Sequence, residues 1–512
     1  MERFLTRHRD RITGSITGFD RILFRGSLRS ICYREGMDIF LSSQRVLYKD
    51  FRTFVQKLSA GIKARAEQLA QQAGRPFVYL SSAQESKEEI ARRIQRRDRV
   101  PEGLICVLSC VEPCQTFGIR RDRERKELTL VGQERKCLHF YFYYLDREFG
   151  LMHIRLQSWL PMSVQVCVNG REWLARAMDR EGITYEQKDN CFTRIADLPR
   201  AQALLDQLGE RRWEKLLTAW AQRVNPWVAP RAGLHLRGYY WSFRQAEYAT
   251  DVLFQTAEKL AAIYPALVRQ AIEQFGAPQV MRFLGRRTNS RFSGEASSHL
   301  ERRVEGTCVK HWVEENSIKM YDKQGSVLRI ETTINNPRRF RVRRRATRQG
   351  KVVLGWLPLR KGIADTRRRV ELSRAANERY LEALAVVGEP KASHRILDPV
   401  SRAVETPRRF RALRPISPED SRLFQIILRG EFHLQGVRNQ DLQRHLEPAA
   451  LADSHQRRQL SGRITRQLAL LRAHGLIYRV LRTHYYRTTR KGQEVMTTAL
   501  KFRNTDVAML AA

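Results

Sequence analysis

The chain has 512 residues, 42% hydrophobic and 9% aromatic, enough apolar surface to build real cores, which excludes a basic disordered tail. Lysine and arginine number 93 against 54 acidic residues, a formal charge of +39; this is a poor fit to an enzyme of neutral small molecules and implies a polyanionic partner held in a salt-sensitive way. The N-terminal MERFLTRHRDRITG lacks a signal-like apolar core and no apolar run approaches a membrane span, so we expect a cytoplasmic protein without a membrane partner.

Length predicts about three domains, and the pattern predicts a mixed α/β (α+β) chain. Residues 1–130 read as an α/β unit, with strands at Phe19–Phe24, Phe77–Leu80 and Leu104–Leu108 and helices at Phe51–Ala73 and Ser86–Arg97. This alternation argues for a sheet containing parallel strands. Asp20 on the first strand and Glu112 after the last are candidate catalytic carboxylates that would meet at a sheet edge, as in two-metal nucleases. Eight cysteines are scattered; Cys106, Cys110 and Cys114 do not have zinc-knuckle spacing, and Cys106 sits in an apolar run, so buried free thiols are expected.

Residues 131–200 continue this unit as a hairpin and helix region. Phe140, Phe142 and Tyr144 alternate as one strand face, Val164–Val168 is a strand ending at Asn169-Gly170, and Arg171–Arg180 is a helix. Core packing is the expected role of the aromatics, base stacking the alternative.

Residues 201–388 read as a helical region with a central hairpin. Trp213, Leu217 and Trp220 fall at helical spacing, and a helix over Tyr239–Leu260 would place Glu247 and Asp251 one turn apart, as a metal-binding pair or as part of an arginine-rich ion-pair network. In Ser317–Ile334 two strands turn at Lys323-Gln324-Gly325. Strict alternation buries Ile318, Met320, Leu328 and Ile330 and puts Lys319, Tyr321, Arg329, Glu331 and Thr333 on the other face. With Lys323, these residues form either a phosphodiester site or a backbone-reading platform. The pattern K-x-Y-x-K followed by R-x-E resembles a hairpin of phage and plasmid replication initiators, without the His-hydrophobe-His metal motif those proteins carry. The basic run Arg338, Arg339, Phe340, Arg341, Arg343, Arg344, Arg345, partly echoed at Pro407–Arg411, suits a phosphate backbone with an occasional stacked base. Gly362–Leu384 reads as a helix, and 389–415, rich in proline, as a linker.

Residues 416–512 are the most legible. Ser417–Arg429 and Asn439–Leu446 predict two helices, and Ile464, Leu468 and Leu471 stripe a third whose other side carries Arg463, Arg466 and Gln467. Gly475 stops that helix, and Ile477–Arg482 with Tyr485–Thr488 predict a hairpin before a last helix. The run L-x-x-L-R-A-H-G-L-I, the basic hairpin and Thr489-Arg490-Lys491-Gly492 resemble the MarR and ArsR class of winged-helix DNA-binding domains over about 415–505. That resemblance implies Arg463, Arg466 and Gln467 near bases and Arg479, Arg482 and Arg487 near phosphate. The chain as a whole looks like bacterial proteins, a likeness that supplies no function. The expectation is therefore a nucleic-acid-binding protein, DNA favoured over structured RNA, in mobile-element or replication DNA handling; the alternative is a transposase-like enzyme or nuclease using Mg or Mn. No phosphate-binding glycine loop, H-x-H pair or nucleophile elbow supports a particular chemistry.

Overall fold

The computed structural model describes residues 1–512 apart from 123, 125, 229–233, 235, 237, 287–293, 304–305, 349–350, 388–392, 407, 433–435 and 506–512. It divides into two compact units, one of residues 1–264, 300–310 and 315–382, the other of 265–299, 311–314 and 383–512. The chain is mixed α and β, as expected.

An eleven-stranded sheet organises the fold. Its strands are β1 (Ile12–Ser27), β2 (Phe77–Leu80), β3 (Gly103–Asp122), β4 (Glu127–Asp146), β5 (Gly150–Gln157), β6 (Val164–Asn169), β9 (Tyr240–Phe254), β10 (Ala296–Arg303), β11 (Gly306–Val313), β12 (Asn316–Lys323) and β13 (Val327–Thr333); β7 (Tyr185–Gln187) and β8 (Phe192–Ile195) form a separate pair. The sheet order is β10-β11-β12-β13-β9-β1-β6-β5-β4-β3-β2. Parallel pairing is confined, among the registers described, to β2 with β3; β1, β4, β5, β6, β9, β12 and β13 pair antiparallel. The helices therefore cover the sheet without serving as successive parallel crossovers. Phe140, Phe142, Trp213, Leu217 and Trp220 are buried in the large core against one face, so the aromatic strand packs and does not stack bases.

Two further expectations change. Tyr239–Leu260 is mostly the strand β9, not a helix. Residues i and i+4 share a face in both structures, so the spacing of Glu247 and Asp251 did not discriminate, whereas the aromatic and β-branched content of Tyr240–Phe254 favours a strand. The stretch 389–415 is structured where it is described: Ser393–Leu397 is helical, Val404–Glu405 pairs with Arg409–Phe410, and Leu397, Val400 and Leu413 are buried in the C-terminal core. Pro407 and residues 389–392 of that expectation lie outside the described residues.

The C-terminal segment runs helix Pro418–Ile427, helix Asn439–Leu446, helix Ser454–Ala473, strands Ile477–Arg479 and Tyr486–Thr488, and helix Arg490–Asn504. Ser417 caps the first helix by accepting from the Asp420 N–H. Ile464, Leu468 and Leu471 are buried, and Gly475 at φ 71° takes the left-handed turn that ends the long helix.

Candidate functional site: a carboxylate cluster on the central sheet

The strands β1, β9, β13 and β12 lie side by side and bring together acidic residues that are far apart in sequence. In the β13–β9 register Arg329 stands opposite Asp251, Glu331 opposite Ala249 and Thr333 opposite Glu247. In β12–β13, Lys319 faces Glu331 and Tyr321 faces Arg329, while Ile318, Met320, Leu328 and Ile330 are buried. The alternation predicted for this hairpin is thus the observed one. On β1 the register against β9 slips between Phe19/Tyr248 and Ile22/Ala246, so three steps on β1 meet two on β9. Asp20 sits in this bulge, the kind of irregularity that re-aims a side chain out of strict alternation. Beside it the helix Gly170–Glu181 begins so close to β1 that a Cβ on Gly170 would lie 2.0 Å from the Phe19 carbonyl oxygen. Glycine is required there, and the next residue, Arg171, is fully buried against the cluster.

Within the cluster Arg329 is the central cation. Its Nη1 lies 2.9 Å from Asp20 Oδ2, and its Nε and Nη2 donate to the two Asp251 oxygens at 2.6 and 2.8 Å. Arg171 Nη2 reaches Asp251 Oδ2 at 3.0 Å. Asn190 donates to Asp20 Oδ1 at 2.6 Å. Lys319 Nζ is 2.6 Å from Glu331 Oε1, and the Tyr321 hydroxyl donates to Glu331 Oε2 at 2.8 Å. Oxygens of Asp20, Glu247 and Glu331 all lie within 4.8 Å of one another.

The electrostatics separate these carboxyls. Burial alone would raise Asp251, but Arg171 and Arg329 hold it below the usual aspartate range. At Glu331 burial also raises the carboxyl, but Lys319, Arg329 and the Tyr321 hydroxyl together hold it below its ordinary value. Glu247 accepts from Gln245 Nε2 at 2.8 Å and has no ion-pair partner among the described residues; burial first, then the neighbouring Glu331, push it up to about 7. Asp20, Asp251, Glu247 and Glu331 supply four negative charges, and the cations in direct reach of them, Arg171, Arg329 and Lys319, supply three positive ones. Glu247 is the one of the four without an ion-pair partner among the described residues, though Lys319 and Arg21 act on it from further away. The Tyr321 phenol is pushed well above its ordinary value by burial and Glu331.

Asp20, Glu247, Glu331, Lys319, Tyr321 and Lys323 all line a cavity of about 290 Å³, whose wall also includes Arg21, Arg92 and His153. Sequence reasoning named these first six and Arg329; it missed Arg171, Asn190, Arg21 and Arg92, which no local motif marks. Glu112 is not part of the site. Three strands, β6, β5 and β4, separate β1 from β3, and Glu112 is held by Arg155 at 2.7 Å, Tyr141 at 2.8 Å and Lys87 at 3.2 Å. Burial opposes its ionisation, but bonds from Arg155, Cys110 and Tyr141 bring it down to about 2. Nor is Asp20 at a sheet edge, since β1 lies between β9 and β6.

The basic residues have mixed settings. Arg338, Arg339, Arg341, Arg343 and Arg345 are exposed, Arg344 is half-buried, and Phe340 is buried, so this phenylalanine anchors the run and is not a stacking platform. Arg341–Arg348 (β14) pairs with Lys351–Pro358 (β15), placing Arg343 opposite Trp356, which is 67% exposed. Trp356, not Phe340, is the exposed aromatic beside these arginines. In the C-terminal segment Arg463 pairs with Glu447, Arg466 and Arg482 are exposed, Arg479 Nε donates to the Thr483 carbonyl at 2.8 Å, and Gln467 and Arg487 are half-buried. No protein-family model, curated protein or solved structure matches the chain. Among the described residues no helix is long and apolar enough to cross a membrane.

Proposed function

We propose that the protein binds nucleic acid, DNA in preference to RNA, and acts on its phosphodiester bonds at the cluster of Asp20, Glu247 and Glu331. The observation that carries this reading is the convergence of three carboxylates, one of them without an ion-pair partner among the described residues, with Lys319, Tyr321 and Lys323 in one cavity. The donor set is three carboxylates, all hard oxygen, which fits Mg or Mn. When bound, such an ion supplies charge stabilisation at phosphate and a more acidic water. The chain's own residues do the rest. Lys319 and Lys323 offer cationic ends to a phosphate oxygen, Glu247 near 7 can accept a proton at neutral pH, and Glu331 orients the Tyr321 hydroxyl by accepting its hydrogen bond. A protein-linked strand would identify Tyr321 as the nucleophile.

The test is incubation of the protein with labelled duplex DNA, single-stranded DNA and RNA, with Mg, Mn or chelator. We expect cutting that needs the ion and falls at least about 100-fold in Glu331→Gln, with the salt-sensitive gel shift retained. Intact strands in every condition would leave a binder only, a reading favoured by the arginine pairing of Asp20 and Asp251.

For duplex contact we propose the C-terminal segment as a winged helix, on the strength of its element order, the exposed Arg466 and the hairpin bearing Arg479 and Arg482. Arg463→Ala and Arg466→Ala should each weaken duplex binding. Where the arginine meets a phosphate, its removal flattens the slope of log affinity against log salt by about 1; where it meets a base, its removal instead relaxes sequence preference at one position. Unchanged affinity in both variants would point to a protein-binding role.

A further inference from the structure

We propose that Cys114, Cys137 and His139 bind one zinc ion, which clamps the β3–β4 hairpin where its flanking strands end. The three side chains lie on adjacent strands, with Cys137 opposite Glu112, His139 opposite Cys110, and Cys114 two residues beyond Glu112. One ligand atom from each lies within 4.8 Å of the others. A tetrahedral zinc with bonds of about 2.3 Å to sulfur and 2.0–2.1 Å to nitrogen wants ligands roughly 3.5–3.8 Å apart, so a small side-chain adjustment closes the site.

The histidine supplies an independent sign. His139 is fully buried, and its Nδ1 is 3.0 Å from the Cys137 carbonyl oxygen. A carbonyl only accepts, so Nδ1 carries the proton and Nε2 presents a lone pair. Nε2 is buried without a hydrogen-bond partner, an arrangement that costs stability unless something electrophilic takes the lone pair. A backbone carbonyl fixing the distal ring nitrogen is also the usual outer-shell support of a zinc-binding histidine. Two sulfurs and an imidazole select zinc over Mg or Mn. Cys114 is half-buried, which lets water take the fourth position.

The location gives the ion a purpose. β2 pairs with β3 only through Cys110, and β5 pairs with β4 only from His139 onward. Outward from Glu112 and Cys137 no other strand is registered beside the two, as far as Asp122 and Glu127. There the hairpin has no strand on either side among the described residues and is held by core packing of Phe117 and Leu130. Cys114 and Cys137 lie just past the last fully flanked pair, where a clamp stiffens the hairpin most. Arg135 over the Trp159 ring at 4.6 Å and Gln157 donating to the Gln115 carbonyl at 3.2 Å brace the same point.

The test uses the full chain, reduced with a phosphine, stripped of metal and titrated with cobalt(II) and zinc(II). We expect one equivalent bound per chain, a thiolate-to-cobalt charge-transfer band displaced by zinc, and loss of that band in Cys114→Ser and Cys137→Ser but not in Cys32→Ser. Should the serine variants misfold, alkylation of wild type decides: zinc should slow modification of Cys114 and Cys137 selectively, as read by peptide mass. A folded wild type with no charge-transfer band, a band that survives both substitutions, or thiols that form a disulfide on oxidation yet take up no metal when reduced would each overturn the proposal.

Discussion

Glu247→Gln is expected to make the protein more stable at pH 8 while abolishing ion-dependent cutting. The carboxyl sits at about 7, against an ordinary value of 4.5, because burial and Glu331 disfavour its charged form. By linkage, a raised acid is no burden below pH 4.5, costs increasing stability between 4.5 and 7, and costs a constant amount above. The full shift corresponds to about 3 kcal/mol, discounted to about 2 because the residue is half-buried and partly screened. Glutamine removes the charge and keeps the shape, so the variant should melt about 4 °C higher than wild type at pH 8, with the gap closing by about pH 5. Magnesium should stabilise wild type above pH 7 and leave the variant unmoved, since an ion that binds only the folded state adds stability by mass action. Thermal melts at several pH values, with and without magnesium, read all of this. Equal melting of the two proteins at pH 8 would show that no trapped charge is stored at this position, and the case for an ion there would fall with it. Loss of cutting without the gain in stability would point to a proton-transfer role alone.

Much of this site was legible locally and little of it globally. The hairpin Asn316–Thr333 could be read residue by residue because a tight turn, with Gln324 and Gly325 at positive φ, fixes its register and thereby which side chains share a face. The same holds for the long C-terminal helix, whose apolar stripe and terminal glycine are contiguous in sequence. What local pattern does not encode is which strands become neighbours. Asp20, Asp251 and Arg329 meet because β1, β9 and β13 are adjacent, a pairing across hundreds of residues that sequence spacing does not reveal. Glu112 looked equivalent to Asp20 for the same reason, both being acids near strand ends in one apparent α/β unit. The Cys114–Cys137–His139 group was missed differently: its members occupy two arms of a hairpin, so a search along one strand finds only Cys106, Cys110 and Cys114.

The largest loss of stability is expected on removing the guanidinium of Arg329. Arg329→Met leaves Asp20 and Asp251, both buried, with Arg171 as the nearest cation, and an uncompensated buried charge of this kind costs about 3–5 kcal/mol. In the wild type Asp251 is held below 3.8, so its contribution is present above that pH and lost as pH falls through its folded value. In the variant burial acts with less opposition, Asp251 should move up, and stability should now increase as pH falls from about 8 toward 5. Wild type already gains stability as pH falls from 7 to 4.5 through Glu247, so the variant should show a steeper rise over the same range, which urea denaturation at several pH values would detect. A variant as stable as wild type at pH 8 would mean that the cluster tolerates its charges without the arginine. Adding Asp251→Asn to Arg329→Met should recover part of the loss, because the charge and its partner leave together. Arg329→Lys separates structure from chemistry: lysine keeps the charge but, as a point donor, does not span Asp20 and both Asp251 oxygens. It should retain an intermediate stability and still lose cutting, because Asp20 would no longer be held within reach of Glu247 and Glu331. The arginine pairing of Asp20 and Asp251 is the means by which a sheet interior tolerates four carboxylates close together; loss of cutting in Arg329→Lys with the fold kept would show that the same pairing also positions them for the chemistry proposed above.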